Sequence, residues 1–334
     1  MKLKIAQIRE IAFGVDRVEE INGAFVFHRF THEQEEMYKV RRDDFYLKVF
    51  SPSGVCLRFS TNSENLFLKT EIALGTAKNF FSFDLFINGE LTDSLTNFVE
   101  EALPPDYGAE EFQLGEYAKN FSLGTGEKEI ILHFPWSVIA TVKELSLDDG
   151  CSIIPMKPAG RMLSFGDSIT QGYHSLHPSR KYTTQLAAAL GVQEHNKAIG
   201  GEIFFPELAL TKESFVPDYI TVAYGTNDVN RCSFEEFTAN CQAFLKNLHK
   251  TYPDSKTFVL TPIWRMAFDD LVFYHRIENT IREATAGYEN MVVVSGIDFV
   301  PHSESAFGDL VLHPNDQGFD HYFMNLFKTI KSMV

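Results

Sequence analysis

Apolar and polar positions follow two different rhythms along this chain, and the change comes near residue 155. Before it, short apolar runs recur between turn residues: FYLKVF (45–50), VCLRFS (55–60), LFLKTEIAL (66–74), FFSFDLFI (80–87), EIILHF (129–134) and VIATVKELSL (138–147). Runs of this length, rich in β-branched and aromatic residues, predict strands. Asn88-Gly89 directly after LFI predicts a tight hairpin turn. No long helical pattern interrupts the series, and THEQEEMYKVRRDD (31–44) reads as a loop or short helix at its edge. An antiparallel sandwich or jelly roll is the expected architecture for residues 1–155.

IIPMKPAG (153–160), with Pro155, Pro158 and Gly160, reads as a linker. After it, strand-like runs alternate with helical spacing: MLSF, then YTTQLAAAL (182–190); GVQEHN; YITVAY (219–224), then FEEFTANCQAFLKNLHK (234–250); TFVLTPI (257–263), then HRIENTIREATAG (275–287); MVVVSG (291–296). In the tail, Phe319, Phe323, Leu326, Phe327 and Ile330 recur at helical spacing. Five strands alternating with helices predict a parallel sheet covered on both faces across residues 156–334.

Composition narrows the partners. The 334 residues are 44% apolar with 31 Phe, enough for full cores. A formal net charge of −15, without a Lys/Arg cluster, argues against nucleic acid or an anionic membrane as partner. The first twenty residues are interrupted by Gln, Arg and Glu and do not read as a signal peptide, although a chain that had lost its leader would look the same. No stretch approaches a spanning length. Four scattered cysteines without CxxC spacing suit reduced thiols, so a cytoplasmic location is expected. The pattern leaves the oligomeric state open.

Four blocks carry candidate chemistry. In RMLSFGDSIT (161–170) a strand ends at Gly166 and a helix pattern restarts at Ser168. A serine there stands at the carboxyl end of a sheet, beside free N–H groups of a first helical turn. A serine in this position also serves simply as an N-cap. HNKAIGGE (195–202) offers Gly200 and Gly201, whose backbone approaches a substrate without side-chain interference. ITVAYGTND (220–228) ends a strand with Asn227, an amide donor, and GDLVLHPND (308–316) supplies His313 as a base and Asp309 as a carboxylate to orient it. Asp167 and Asp228 read as braces of their turns. His174 and His177, without neighbouring Cys or carboxylates, read as solvated loop residues, so no metal and no cofactor are expected. Trp264 and Arg265, after VLTPI, are candidates for a substrate-pocket wall with a stacking surface, against the plainer reading of a surface aromatic with a paired Arg. All of these follow strand ends, and a parallel sheet gathers such positions at one rim.

The order Ser, Gly, Asn, His with these local patterns resembles the SGNH (GDSL) hydrolase superfamily, from about residue 160 to the end. The resemblance implies a three-layer, flavodoxin-like parallel sheet, with Ser168 as nucleophile and His313 as general base. It also implies an oxyanion hole from the N–H of Ser168, the N–H of Gly201 and the amide of Asn227. The family places its Asp three residues before the His, where this chain has Leu310. Asp309 lies four before, so either a bulged loop brings it to the imidazole or a backbone carbonyl orients His313. A β-sandwich ahead of such a domain resembles two-domain carbohydrate acetyl-esterases. The expected function is therefore a serine esterase acting on a short acyl ester, acetyl first, of a small molecule or oligosaccharide. The alternatives are a short-chain lipase or lysophospholipase, and a catalytically weakened carbohydrate-binding protein.

Overall fold

The computed structural model describes residues 1–99, 103, 112–266 and 271–334. The first half contains two antiparallel sheets. One orders its strands Arg17–Ile21, Ala24–His28, Val138–Leu147, Asn65–Leu74 and Gly115–Ser122; the other runs Ala12–Phe13, Cys56–Thr61, Lys128–His133, Ser82–Ile87 and Glu90–Thr96. Alternate residues point inward, as a half-buried strand requires, and Phe25, Phe27, Phe59, Leu66, Leu68, Phe83, Leu85, Phe121, Ile130 and Leu132 fill one core between the sheets. Asn88 and Gly89 both take positive φ, 52° and 85°, and turn the hairpin predicted there. The expected linker begins inside the sandwich, since Ile154 and Pro155 pair with Ser60 and Phe59.

The second half is a five-stranded parallel sheet ordered Val192–Asn196, Gly160–Gly166, Tyr219–Ala223, Lys256–Leu260 and Met291–Val294, which is 2-1-3-4-5 in chain order. Helices Tyr182–Leu190 and Asp316–Ile330 cover one face, where Tyr182, Leu186, Phe319, Tyr322 and Leu326 pack on Met162, Phe258 and Leu260. Helices Phe234–Thr251 and Leu271–Thr285 cover the other, packing on Leu163, Phe165, Ile220 and Val222. Ser233 and Glu236 form a capping box that starts the helix Phe234–Thr251. No helix among the described residues is long and apolar enough to cross a membrane.

One expectation fails in the stretch 31–50. FYLKVF is not a strand: Asp43–Val49 is a helix, preceded by a second helix, His32–Arg41. The apolar residues Phe45 and Val49 stand one helical turn apart, and that spacing prevails once there is a surface to receive them. The surface is the parallel-sheet half: Phe30, Tyr38, Phe45 and Val49 share a core with Phe165, Phe205, Tyr224 and Phe244. Residues 30–50 thus precede the sandwich's main strands in sequence yet complete the core of the other half.

Buried polar contacts join the halves. The Arg29 guanidinium, 1% exposed, donates to the carbonyls of Ser51 (2.7 Å), Asn196 (2.8 Å), Ala198 (2.9 Å) and Lys48 (3.0 Å). Asp84 of the sandwich accepts from Ser179 Oγ at 2.6 Å and pairs with His177 Nδ1 at 2.8 Å. Burial pushes the Asp84 carboxyl up, but His177 and the hydroxyls of Ser179 and Ser82 hold it below the usual carboxylate range. Burial likewise opposes charge on His177, and Asp84 raises it on balance.

The signs of these shifts set a pH window. Asp84's contribution is present above the ordinary carboxylate value and is lost as pH falls through its lowered one. His177's is present below the ordinary imidazole value and is lost as pH rises through its raised one. The pair is therefore fully formed between about pH 4 and pH 6.5. Asp84→Ala is expected to destabilise the protein by about 3 kcal/mol near pH 5.5, with a smaller loss near pH 9; urea denaturation at the two pH values measures both.

Candidate active site

The strand Gly160–Gly166 delivers Asp167 and Ser168 to the carboxyl edge of the sheet, and a one-turn helix, Ser168–Gln171, follows at once. Asp167 is the N-cap, its Oδ1 accepting the N–H of Ile169 at 3.0 Å. The cap reading of Ser168 is thereby corrected: its neighbour does that work, and the Ser168 hydroxyl points instead to His313, Oγ to Nε2 2.8 Å.

His313 sits in a closed loop in which Phe307 bridges Pro314 and the N–H of Gly308 donates to the His313 carbonyl. Asp309 Oδ2 lies 2.6 Å from His313 Nδ1. The four-residue spacing is absorbed at Leu310, which takes φ +60°. Asp309 Oδ1 then accepts the N–H groups of Val311, Leu312 and His313 at 3.1, 2.8 and 3.0 Å. Burial raises the Asp309 carboxyl, but the hydrogen bond and charge of His313 and those N–H donors hold it far below the usual range. An ionised carboxylate only accepts, so Nδ1 carries the proton and Nε2 is left to accept from Ser168.

Gly200 and Gly201 follow the neighbouring strand, Val192–Asn196. A Cβ on Gly200 would lie 2.6 Å from the Tyr173 ring, and Gly201 takes φ +87°, so both positions require glycine. The N–H of Gly200 is taken by Gln171 Oε1 at 2.7 Å, whereas those of Ser168 and Gly201 find no acceptor among the described residues. Asn227 Nδ2 is held 3.1 Å from the Glu202 carbonyl and 3.3 Å from Asp167 Oδ2. Burial, with Asp228 nearby, pushes the Asp167 carboxyl up to about 7. Asp228 braces its turn as expected, accepting from Gly225 and Phe204.

The helical pair 32–49 supports this loop from behind. Lys48 Nζ donates to the Gly200 carbonyl at 2.8 Å, and Arg41 pairs with Glu202 at 2.8 Å. Nothing in the residue pattern of 31–50 pointed to the site.

Several expectations need correction. His174 and His177 are not solvated: His177 binds Asp84, and His174 is buried, stacked on His313 at 5.5 Å with 19° between planes. Burial, with Lys78 and His313 adding to it, pushes His174 down to about 3, so it places no positive charge beside His313. His174, Asp309 and His313 bring one ligand atom each within 4.8 Å of one another, but two of these atoms' partners are already fixed by the Ser168–His313–Asp309 chain. Trp264 is a core residue rather than an open stacking surface; His302 covers its face at 4.9 Å and 11°, and Phe307 packs at 5.8 Å. Arg265 is also buried, near enough to Asp167 for their charges to interact. Tyr173 emerges beside the site, 5.5 Å from the His313 ring and 4.9 Å from Trp136 of the sandwich half. Its position directly after the nucleophile turn was the available signal.

A serine hydroxyl bonded to an oriented imidazole, beside open N–H donors at the carboxyl edge of a 2-1-3-4-5 sheet, is the arrangement of an ester hydrolase. Residues 164–321 match the GDSL-like lipase/acylhydrolase family, and the chain carries a domain of that family. Across both halves the fold is similar to the salicylyl-acyltransferase SsfX3 from a tetracycline biosynthetic pathway (18% identity, TM-score 0.78, covering 96% of this chain and 94% of that one). A GDSL-like lipase from Bacteroides ovatus is similar at 17% identity and TM-score 0.77, covering 99% and 97%. A family two carbohydrate esterase from Cellvibrio japonicus is similar at 15% identity and TM-score 0.65, covering 100% and 98%. At these identities the likeness is one of fold. No curated protein matches the chain in sequence.

Two variants probe this geometry. Asp309→Asn is expected to lower kcat by roughly 10⁴-fold by disturbing the imidazole tautomer; a rate near wild type would mean that the carboxylate is dispensable. Lys48→Met is expected to lower kcat by about ten-fold with KM unchanged, because it loosens the Gly200 carbonyl without touching substrate; steady-state kinetics separate the two parameters.

Proposed function

We propose that the protein is a serine esterase that removes a short acyl group, acetyl first, from a carbohydrate ester through an acyl-enzyme on Ser168. The observation that carries this reading is the unbroken chain from Asp309 Oδ2 to His313 Nδ1 (2.6 Å) and from His313 Nε2 to Ser168 Oγ (2.8 Å). His313 takes the hydroxyl proton as Ser168 Oγ bonds to the ester carbonyl carbon, and the carbonyl electron pair moves onto oxygen. That oxyanion is held by the N–H groups of Ser168 and Gly201 and by Asn227, whose longer bond, to Asp167 at 3.3 Å, is the one it displaces. Collapse expels the alkoxide, which takes the proton from His313. Water, deprotonated by the same imidazole, then releases the carboxylic acid.

The carbohydrate assignment rests on the likeness of both halves to family two carbohydrate esterases, one of which, from Clostridium thermocellum, is in complex with cellohexaose. The four free cysteines suit a reducing compartment, and we place the enzyme in the cytoplasm. The spacing that spoke for a weakened binding protein is accommodated by the turn at Leu310, which favours turnover. A second fate of the acyl-enzyme, transfer to an alcohol other than water, is favoured by the fold shared with SsfX3.

Hydrolysis of p-nitrophenyl acetate, butyrate and octanoate, and of acetylated xylose oligomers, tests the reading. Acetyl esters are expected to turn over fastest, and Ser168→Ala to lower kcat by roughly 10⁶-fold. Equal rates in the variant would remove Ser168 from the chemistry. Faster turnover of octanoate would favour the short-chain lipase.

A further inference from the structure

A cavity of about 1020 Å³ lies away from Ser168; neither that residue nor His313, Gly201 or Asn227 borders it. It is the cleft where the outer face of one sandwich sheet meets the catalytic half. Register places Arg58 opposite Ile131, and Ile131 opposite Phe86, so these three side chains form one row across the sheet. Their chain neighbours Leu57, Leu132 and Leu85 point the other way, into the sandwich core. Ala187 and Ala188 of the helix Tyr182–Leu190 face the row, and their small side chains leave the space unfilled.

The wall is mainly apolar and carries one uncompensated charge. The Arg58 guanidinium makes no ion pair or hydrogen bond among the described residues, and its Nε is buried without a partner. The two carboxylates that border the cleft are engaged elsewhere. Glu194 is bound to Lys181 (3.2 Å) and Thr184 Oγ1 (2.7 Å), and Asp316 accepts from Ser175 Oγ (2.8 Å) and the N–H of Leu176 (2.9 Å). His133, on the same wall, is pushed down to about 4 by burial, so it offers a hydrogen bond without a second charge.

A buried donor of Arg is costly unless an acceptor reaches it, and a planar guanidinium matches a carboxylate with two parallel hydrogen bonds. Mostly apolar clefts of this size with a few convergent polar groups are the usual form of small-molecule sites. We propose that this cleft binds a small amphipathic carboxylate, its acid group on Arg58 and its apolar body between Phe86, Ile131 and the Ala187-Ala188 face. The charge of Arg58 selects a carboxylate over a neutral sugar or alcohol. The apolar row selects a hydrocarbon or aromatic body over a hydroxylated one.

Calorimetric titration of the full chain with octanoate, octan-1-ol and cellohexaose tests this site. Octanoate is expected to bind the wild type, and to bind Ser168→Ala equally well. Arg58→Met should weaken it by at least roughly ten-fold, the value of one charged hydrogen bond. Ala188→Trp, a change at an exposed helix position, fills the cleft from the opposite wall and should weaken octanoate similarly while esterase activity stays unchanged. Octan-1-ol is expected to bind weakly and with no dependence on Arg58. The proposal is overturned if octanoate does not bind, or if it binds both variants as tightly as the wild type. It is equally overturned if cellohexaose binds in its place. Because Ser168→Ala is included, none of these outcomes depends on the esterase reading.

Discussion

Arg29 is a full positive charge with no carboxylate paired to it among the described residues, its N–H groups held by four backbone carbonyls. Two of those carbonyls, of Asn196 and Ala198, open the loop that carries Gly200 and Gly201; the other two, of Lys48 and Ser51, end the helical pair 32–49. Burial lowers the Arg29 pKa to about 9, which still leaves it charged at neutral pH. A buried cation of this kind fixes geometry, because any shift of a carbonyl leaves charge unsolvated. The loop that shapes the anion-facing side of the site is therefore tied to a segment that comes well over a hundred residues earlier in the chain. The first half is thus part of the catalytic half's core as well as a domain beside it.

Burial also sets the charges around Ser168, with a different outcome at each group. Asp167 is desolvated and has few donors, so its carboxyl is pushed up to about 7, while Asp309 is desolvated but meets His313 Nδ1 and three backbone N–H groups and stays ionised. His174 is desolvated, with Lys78 and His313 adding to the effect, and is pushed down to about 3 beside His313, whose Nδ1 meets Asp309. The same desolvation thus yields a weak acceptor for Asn227, a permanent anion for His313 and a neutral ring stacked against it. The helix cap supplied by Asp167 frees the neighbouring hydroxyl, so the cap and the Ser168–His313 contact belong to one turn.

The contact between sandwich and catalytic half has two sides. Near the site, Tyr173 packs on Trp136, which itself donates to the Ser175 carbonyl at 2.8 Å. The sandwich therefore contributes to the surroundings of His313. On the other side the two halves diverge around Arg58 and leave the cleft. One interface thus closes around chemistry where polar contacts are satisfied and opens where a charge is left without a partner.

Much of this could be read along the chain. The buried strands of both halves announce themselves as apolar runs, and Ser168, Gly201, Asn227 and His313 follow strand ends that a parallel sheet must bring to one edge. Strands with little buried surface, such as Gly115–Ser122 and Glu90–Thr96, left no such run and were not predicted. Nor could six residues such as FYLKVF declare a period, because alternation and one-turn spacing coincide over so short a span; the core that received Phe45 and Val49 decided for helix. The reach of Asp309 turned on a single left-handed residue, Leu310, a conformation that a leucine does not advertise. Trp264 looked like a pocket wall until His302 covered it. Sequence by itself thus determined the sheet, its order of chemistry and the rim where that chemistry gathers, because hydrophobic period and strand ends are local properties. Tertiary structure alone decided which charges survive, which rings are free and where the halves leave space, because desolvation and contact depend on residues far away in the chain.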